Sequence, residues 1–177
     1  MIILSNIFGF IGICATIVIY QQKSRKSLLV SKLASDLIWF LHYLFLGAYS
    51  GAAVAMIGAC REIVFVNRDK KWGKSKLWLP AFIAVAILST VLTWKNIYSA
   101  LTCVASVLAV ISYFIGKPKL SRIIALPISS CMFIYDIANR SLMGIANECL
   151  AIGSSVVGLL IIDRKRRNND VGEKADA

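Results

Sequence analysis

Long apolar stretches recur along almost the whole chain and are separated by short polar connections. Seven of them have about the length that a helix needs to cross a bilayer, roughly 20 residues at about 1.5 Å of rise per residue. They cover residues 2–20, 28–47, 51–66, 77–94, 97–115, 123–138 and 142–162. The pattern predicts an all-α integral membrane protein with seven transmembrane helices.

The composition agrees, with 58% hydrophobic residues, 16% charged residues and a mean hydropathy of +0.73. A formal net charge of +11 is also typical of nucleic-acid-binding proteins, but here the basic residues follow segments one, three, five and seven. The clusters are Lys23, Arg25 and Lys26; Arg68, Lys70, Lys71, Lys74 and Lys76; Lys117, Lys119 and Arg122; and Arg164, Lys165, Arg166 and Arg167. Basic loops mark the cytoplasmic side, so the N-terminus is predicted outside, the C-terminus inside, and the partner is the lipid bilayer with no nucleic acid.

A shift of 93 residues lays segments one to three over segments five to seven, basic loop over basic loop. The register pairs Tyr20 with Tyr113, Trp39 with Met132, His42 with Tyr135, Tyr43 with Asp136 and Gly51 with Gly144. Because each unit has an odd number of crossings, segment four must restore the orientation, so the halves are predicted to be parallel repeats in a 3+1+3 layout. The predicted units are repeat one (1–68), a basic loop with a linker helix (69–95), repeat two (96–163) and a basic, disordered tail (164–177).

Segment two carries charged and aromatic residues on one helical stripe. At 100° per residue, Lys32, Asp36, Trp39 and Tyr43 share a face, and His42 lies at its edge. Ionisable groups inside a bilayer cost roughly 2.5–3.5 kcal/mol on insertion scales, so this face is predicted to point into the bundle.

Four charges form a layer near the cytoplasmic ends of segments two and three. Asp36 is predicted to pair with Arg61, and Lys32 with Glu62. Two interpretations stay open: the pairs lock one three-helix unit, or they form a gate that breaks during transport.

A second layer holds His42, Asp136 and Glu148, each roughly 21 Å from the cytoplasmic helix ends at the α-helical rise. Together with Asn147, these residues are expected to converge on the central axis of the repeats. Simpler roles stay open: an i,i+4 pair of Asp136 with Arg140, and a packing hydrogen bond of His42 to Asp136 or a carbonyl. Two further interpretations stay open, Asn147 as a helix-pairing residue and Trp39 as a core residue. Whether Asp136 and Glu148 carry protons is undecided.

Metal and cofactor chemistry is not predicted. Cys14, Cys60, Cys103, Cys131 and Cys149 lie within apolar segments without paired short spacing, and a single histidine is available to join them as a ligand. Neither a metal nor a cofactor is expected, and the five cysteines are interpreted as small core residues.

Three stretches resemble sugar transporters of the SWEET group and their PQ-loop relatives: "GICATIVIYQQKSRKS" (12–27), "IWFLHYLFLG" (38–47) and "GIANECLAIG" (144–153). Over almost its full length the chain looks closest to the YgjV family of bacterial inner-membrane proteins. The resemblance implies a multi-pass protein of the bacterial inner membrane. It also implies that Trp39 stacks on a sugar and Asn147 bonds it, whereas the repeat mates Met132 and Val54 depart from that pattern.

The leading hypothesis is a small SWEET-like carrier that moves a small polar solute, a sugar or another, by alternating access. Its predicted substrate-binding residues are Trp39, His42, Met132, Tyr135, Asp136, Asn147 and Glu148. The alternative is a membrane interaction or accessory protein whose internal charges serve helix pairing. An intramembrane enzyme using His42 with Asp136 or Glu148 is the least favoured, because no nucleophile-and-base spacing accompanies them. The solute, the direction and coupling of transport, and a homo-oligomeric state stay open.

Overall fold

The structure is a computed structural model. It describes residues 1–20, 22, 25–115 and 118–175, with the backbone alone at residues 20, 25, 113, 118–119 and 162–175. Many of the predicted cytoplasmic charges therefore lie outside the described residues or side chains, and so do the Tyr20–Tyr113 repeat pair and the side chains of the tail. The charged residues concerned are Lys23, Arg25, Lys117, Lys119, Arg164, Lys165, Arg166 and Arg167.

The described part of the chain forms seven helices. They are α1 (Ile2–Tyr20), α2 (Arg25–Leu46), α3 (Tyr49–Val66), α4 (Trp78–Leu92), α5 (Ser99–Ile115), α6 (Pro118–Ala138) and α7 (Leu142–Ala175). A helix satisfies its backbone groups internally, which a bilayer demands of any spanning segment. Within α1, α2, α3, α6 and α7 there are stretches long and apolar enough to cross a membrane, whereas α4 and α5 are shorter apolar helices.

The helices pack in a ring. Going round the ring, α1 packs on α2, α2 on α3, α3 on α5, α5 on α6 and α6 on α7. Helix α7 in turn packs on α1 and closes the ring. Helix α4 lies outside this ring and packs on α3 and α5. As a result α2 and α6 stand on opposite sides of the ring, and their side chains meet in its centre.

The turn between α2 and α3 has the same backbone structure as the turn between α6 and α7, 93 residues later. Gly47 has a φ of 76° and Arg140 a φ of 55°, both in the left-handed region. The next N–H, of Ala48 in one turn and Ser141 in the other, donates to the carbonyl five residues earlier, at 3.0 Å and 2.9 Å. Each turn thus closes its helix with the same αL cap.

Two apolar clusters fill the bundle. The central cluster joins α2, α3, α5 and α6 through Trp39, Tyr43, Ala48, Ala52, Ala55, Ala105, Met132 and Tyr135. The second cluster holds α4 against α3 and α5 through Ile57, Val64, Phe82, Ala86 and Val110. Small residues at the α3 contacts let its backbone approach its neighbours closely.

We predict that Gly47→Ala destabilises the folded protein by about 1 kcal/mol, because a residue with a Cβ pays a steric cost at a left-handed φ. A Cβ at Gly47 would meet no other atom within 4 Å, so the backbone conformation alone carries the cost. The matched control is Gly153→Ala, inside α7 with equally open space. Thermal unfolding of both variants in detergent measures the difference; equal stability of the two would contradict the assignment of the turn.

Candidate functional site

His42 on α2 lies inside the bundle and bonds two other elements. Its Nδ1 lies 2.8 Å from the Ser5 carbonyl of α1, and its Nε2 lies 2.8 Å from the Ser141 hydroxyl at the start of α7. A carbonyl only accepts hydrogen bonds, so Nδ1 donates, and the Ser141 hydroxyl donates to Nε2 of a neutral ring. The Ser141 hydroxyl in turn accepts the Gly144 N–H at 3.1 Å. His42 therefore ties α1 and α2 to the first turn of α7.

Tyr135 on α6 makes the reciprocal contact. Its hydroxyl accepts the Gly51 N–H at 2.9 Å, in the first turn of α3. The first N–H groups of a helix have no partner inside that helix. The first turn of α3 therefore uses the Tyr135 hydroxyl, and that of α7 uses the Ser141 hydroxyl, to which His42 is bonded. His42 and Tyr135 are 93 residues apart; His42 of α2 contacts the start of α7, and Tyr135 of α6 contacts the start of α3.

Tyr43 and Asp136, also 93 residues apart, contact each other directly. The Tyr43 hydroxyl donates to Asp136 Oδ2 at 3.2 Å, and Asp136 is 0% exposed. The other carboxylate oxygen, Oδ1, is buried without a hydrogen-bond partner among the described residues. The carboxyl group packs so closely on Gly144 that a Cβ there would lie 2.4 Å from it. An acceptor with spare capacity thus lies at the centre of the bundle.

Asn147 and Glu148 form a chain of polar contacts beside this centre. The Thr16 hydroxyl of α1 donates to Asn147 Oδ1 at 3.0 Å, and Asn147 Nδ2 donates to Glu148 Oε1 at 3.1 Å. Glu148 also bonds the Ser129 side chain and interacts electrostatically with Asp136. Helices α1, α6 and α7 therefore meet through these side chains.

Trp39 and Met132 provide the apolar wall of the centre, and both are buried. The Trp39 ring packs edge-on against His42, with ring centroids 5.1 Å apart, and tilted against Tyr43 at 5.9 Å. Gly12 of α1 packs so closely on Trp39 that a Cβ there would lie 2.8 Å from the ring. The indole is thus fixed on several sides.

The four residues of the predicted cytoplasmic charge layer lie together, and two direct ion pairs each join residues of the same helix. Lys32 Nζ lies 3.3 Å from Asp36 Oδ1, and Arg61 Nη2 donates to Glu62 Oε1 at 3.1 Å. Between the helices, Asp36 lies against Gly58 of α3. Glu62 lies within electrostatic reach of Lys32 and Asp36. The two direct ion pairs, Lys32 with Asp36 and Arg61 with Glu62, run within one helix each and so differ from the predicted pairing across the two helices. The four charges form one cluster, and its members on α3 are the more deeply buried.

The structure brings the predicted inner residues together in an arrangement the sequence did not specify. Asp136 is buried and contacts Tyr43, whereas Arg140 is exposed. The i,i+4 spacing of Asp136 and Arg140 therefore does not make them a surface pair. Of the partners weighed for His42, the carbonyl is the one in contact, that of Ser5. Missed partners are Ser5, Thr16, Ser129 and Ser141. Serine and threonine are too common in membrane helices for their spacing to identify them, although Ser5 is polar within an apolar stretch.

Among the described residues no group of three or more His, Cys, Asp or Glu side chains could hold a metal ion. The chemistry of the centre is hydrogen bonding and electrostatics: carboxylates, a carboxamide, an imidazole and a phenol beside an indole face.

Gly144→Ala is expected to destabilise the protein by about 1–3 kcal/mol, the usual cost of overpacking, because the new methyl group would displace the Asp136 carboxyl group. Gly153→Ala on the same helix adds the same methyl group in open space and serves as the control. Thermal unfolding in detergent reports the difference. A Gly144→Ala protein as stable as the control would show that Asp136 does not pack there.

Arg61→Met should cost about 3–5 kcal/mol, because it leaves the fully buried Glu62 carboxylate without its direct partner. The double variant Arg61→Met/Glu62→Gln removes both charges and should recover a large part of that loss. Unfolding of the three proteins in detergent gives the coupling. Equal losses in the single and double variants would mean that the pair does not exist as described.

Residues 3–166 match the model of a protein family described as bacterial inner membrane protein. The match covers all seven helices as far as the first part of the α7 tail. No curated protein and no solved structure matches the chain.

Proposed function

The chain belongs to the Imp-YgjV family of bacterial inner membrane proteins, and from that premise we propose that it is a carrier that moves a small polar solute by alternating access. The proposal includes two parallel three-helix repeats, α1–α3 and α5–α7, joined by α4, with the N-terminus outside. The centre described above is its solute site. His42 has a positioning role in it and no catalytic one.

One observation carries the proposal: Tyr43 and Asp136 occupy equivalent positions in the 93-residue register and contact each other. In two halves related by a two-fold axis, equivalent residues can touch only at the axis, which is where parallel-repeat carriers hold their solute. The matching turns at Gly47 and Arg140, and the reciprocal contacts of His42 and Tyr135, support the same register.

The polarity of the centre supports a polar solute. Asp136 Oδ1 offers a buried acceptor, and Asn147 and Glu148 add donor and acceptor groups beside it. A buried polar group without a partner costs free energy, and a hydroxyl, amine or proton brought by a solute would relieve that cost. The Trp39 face suits an apolar face of a sugar or a cationic group.

The conformation described here is closed at the end formed by the α2–α3 and α6–α7 turns. His42, Tyr135 and Asp136 lie beneath those turns and are buried. In the proposed cycle this end opens when the halves separate, and the contacts at Ser141, Gly51 and Tyr43 break together. The packing of Asp36 on Gly58 and the electrostatic interaction of Glu62 with Lys32 keep α2 and α3 as one unit during that movement.

The test is uptake by vesicles reconstituted with the purified full-length protein, using a panel of labelled monosaccharides, amino acids and small organic cations. Wild type is expected to equilibrate at least one of them, and Asp136→Asn to lower that rate tenfold or more, because the amide replaces one carboxyl oxygen at the axis with an NH2 donor. Asp69→Asn makes the same chemical change on the exposed loop and should transport as wild type.

Retained folding of Asp136→Asn is checked by its thermal unfolding and by its elution from a sizing column. Wild-type vesicles in which no solute of the panel moves under any gradient would contradict the proposal, as would full transport by Asp136→Asn.

A second candidate function, a membrane interaction protein without transport, is favoured by the packing of the centre. The rings of Tyr43 and Tyr135 press on Gly51, where a Cβ would lie 2.9 Å from the first and 3.0 Å from the second. Under this alternative the polar groups specify helix pairing alone. This alternative predicts that vesicles containing the wild-type protein show no solute flux. It also predicts that Asp136→Asn lowers the thermal stability of the protein.

A further inference from the structure

A pocket of about 300 Å³ lies at the end of α3, away from the central site. Its lining includes the basic residues Arg68, Lys74 and Lys76, together with Ser75. The connection from α3 to α4 that carries these cations has five basic residues and one acidic residue. The pocket therefore has a strongly positive mouth.

The connection is folded to build this mouth. Successive backbone bonds, such as Lys70 N–H to the Asn67 carbonyl at 2.9 Å and Gly73 N–H to the Lys70 carbonyl at 3.1 Å, turn the chain back on α3. Gly73 is buried, and a Cβ there would lie 2.3 Å from the Asn67 carbonyl oxygen, so only glycine allows this close return.

Another part of the pocket lining is apolar. It consists of Val64 and Phe65 of α3, Leu79 of α4 and Phe114 of α5. The rings of Phe65 and Phe114 meet edge to face with centroids 5.5 Å apart, and the Arg68 guanidinium carbon lies 5.9 Å from the Phe65 centroid. The cation and the aromatic wall are thus held together as one surface.

Two tryptophans place the pocket at the depth of the lipid headgroups. Trp72 is half exposed, and Trp78 Nε1 donates to the Trp72 carbonyl at 2.8 Å while their rings pack edge-on at 6.3 Å. Tryptophan is enriched at membrane–water interfaces, because its ring is largely apolar while its N–H can form a hydrogen bond at the level of the headgroups. A pocket near this pair, with both basic and apolar lining residues, is suited to the boundary between water and lipid.

We propose that this pocket binds the headgroup of an anionic phospholipid, with its phosphate against Arg68, Lys74 and Lys76 and the start of its acyl chains along the wall of Phe65, Leu79 and Phe114. Basic pockets between transmembrane helices are the usual receptors for anionic headgroups. The volume is at the lower limit of the roughly 300–1,000 Å³ of small-molecule pockets, so it accommodates the headgroup and leaves the acyl chains in the bilayer. A soluble phosphate would leave the apolar wall uncovered.

The proposal is independent of the transport function, because none of these residues belongs to the central site. The test uses the purified full-length protein in a neutral detergent with added phosphatidylglycerol or phosphatidylcholine. Bound lipid is counted by native mass spectrometry, and stabilisation is measured by thermal unfolding. Phosphatidylglycerol is expected to bind and to stabilise the protein, and phosphatidylcholine to bind at least tenfold more weakly.

Two triple variants distinguish binding of the lipid in the pocket from general electrostatic attraction of the lipid to basic residues. The triple variant Arg68→Gln/Lys74→Gln/Lys76→Gln removes the lining cations, and Lys26→Gln/Lys70→Gln/Lys71→Gln removes the same charge from residues of the same predicted membrane side that do not line the pocket. The first is expected to weaken phosphatidylglycerol binding at least tenfold, and the second to change it less than threefold. Leu79→Trp keeps every charge, fills the cavity and is expected to abolish the stabilisation.

Three outcomes would overturn the proposal. They are equal weakening in the two triple variants, unchanged binding in Leu79→Trp, and full stabilisation of wild type by glycerol phosphate or inorganic phosphate alone. The first two would place the lipid elsewhere, and the third would make the pocket a site for a soluble phosphate.

Discussion

The structure depends on the need to pair polar groups that lie inside an apolar medium. Helix ends and ionisable side chains cannot be left to water in a membrane interior, so each must find a partner within the bundle. Here the partners are found across the ring: His42 bonds Ser141 at the start of α7, and Tyr135 bonds Gly51 at the start of α3. Neither group of three helices completes its own polar contacts, and each therefore needs the other.

In the proposed cycle, this dependence gives the closed end a modest strength that suits a moving part. Net hydrogen-bond contributions are about 0.5–1.5 kcal/mol each, so the few bonds that join the halves at this end hold them without locking them. Water or a solute entering the centre would replace the same bonds, and Asp136 Oδ1 would gain a partner it lacks in the closed form. A ligand shifts an equilibrium by its differential affinity for the two states, and this unpaired oxygen is a source of such a difference. The buried Arg61–Glu62 pair, in contrast, lies within one helix and is unaffected by separation of the halves.

The sequence predicts the helices well because apolar length and the αL turn residue determine where a membrane helix ends: α1 has the predicted bounds, and α7 begins at the predicted residue. The polar–aromatic face of α2 also follows from its 100° spacing. The individual partners do not follow, because they depend on helix rotation and depth by fractions of a turn. Lys32 and Asp36 share a face, so a direct pair along α2 competes with the predicted contact across to α3. Ser5, Thr16 and Ser141 become significant only through what they contact, and the pocket beside Gly73 requires a backbone path that no residue pattern specifies.

The central claim is that the buried centre between α2 and α6 opens to each side of the membrane in turn. The test is the variant Met132→Cys in a protein whose five native cysteines are replaced. A membrane-impermeant thiol reagent is added to one side or the other of oriented vesicles, and labelling of the new cysteine is measured. Met132 is buried in the closed form, so labelling requires opening. The account predicts labelling from both sides, with a transported solute changing the ratio of the two rates. A cysteine that is labelled from neither side, or from one side under every condition, would contradict it.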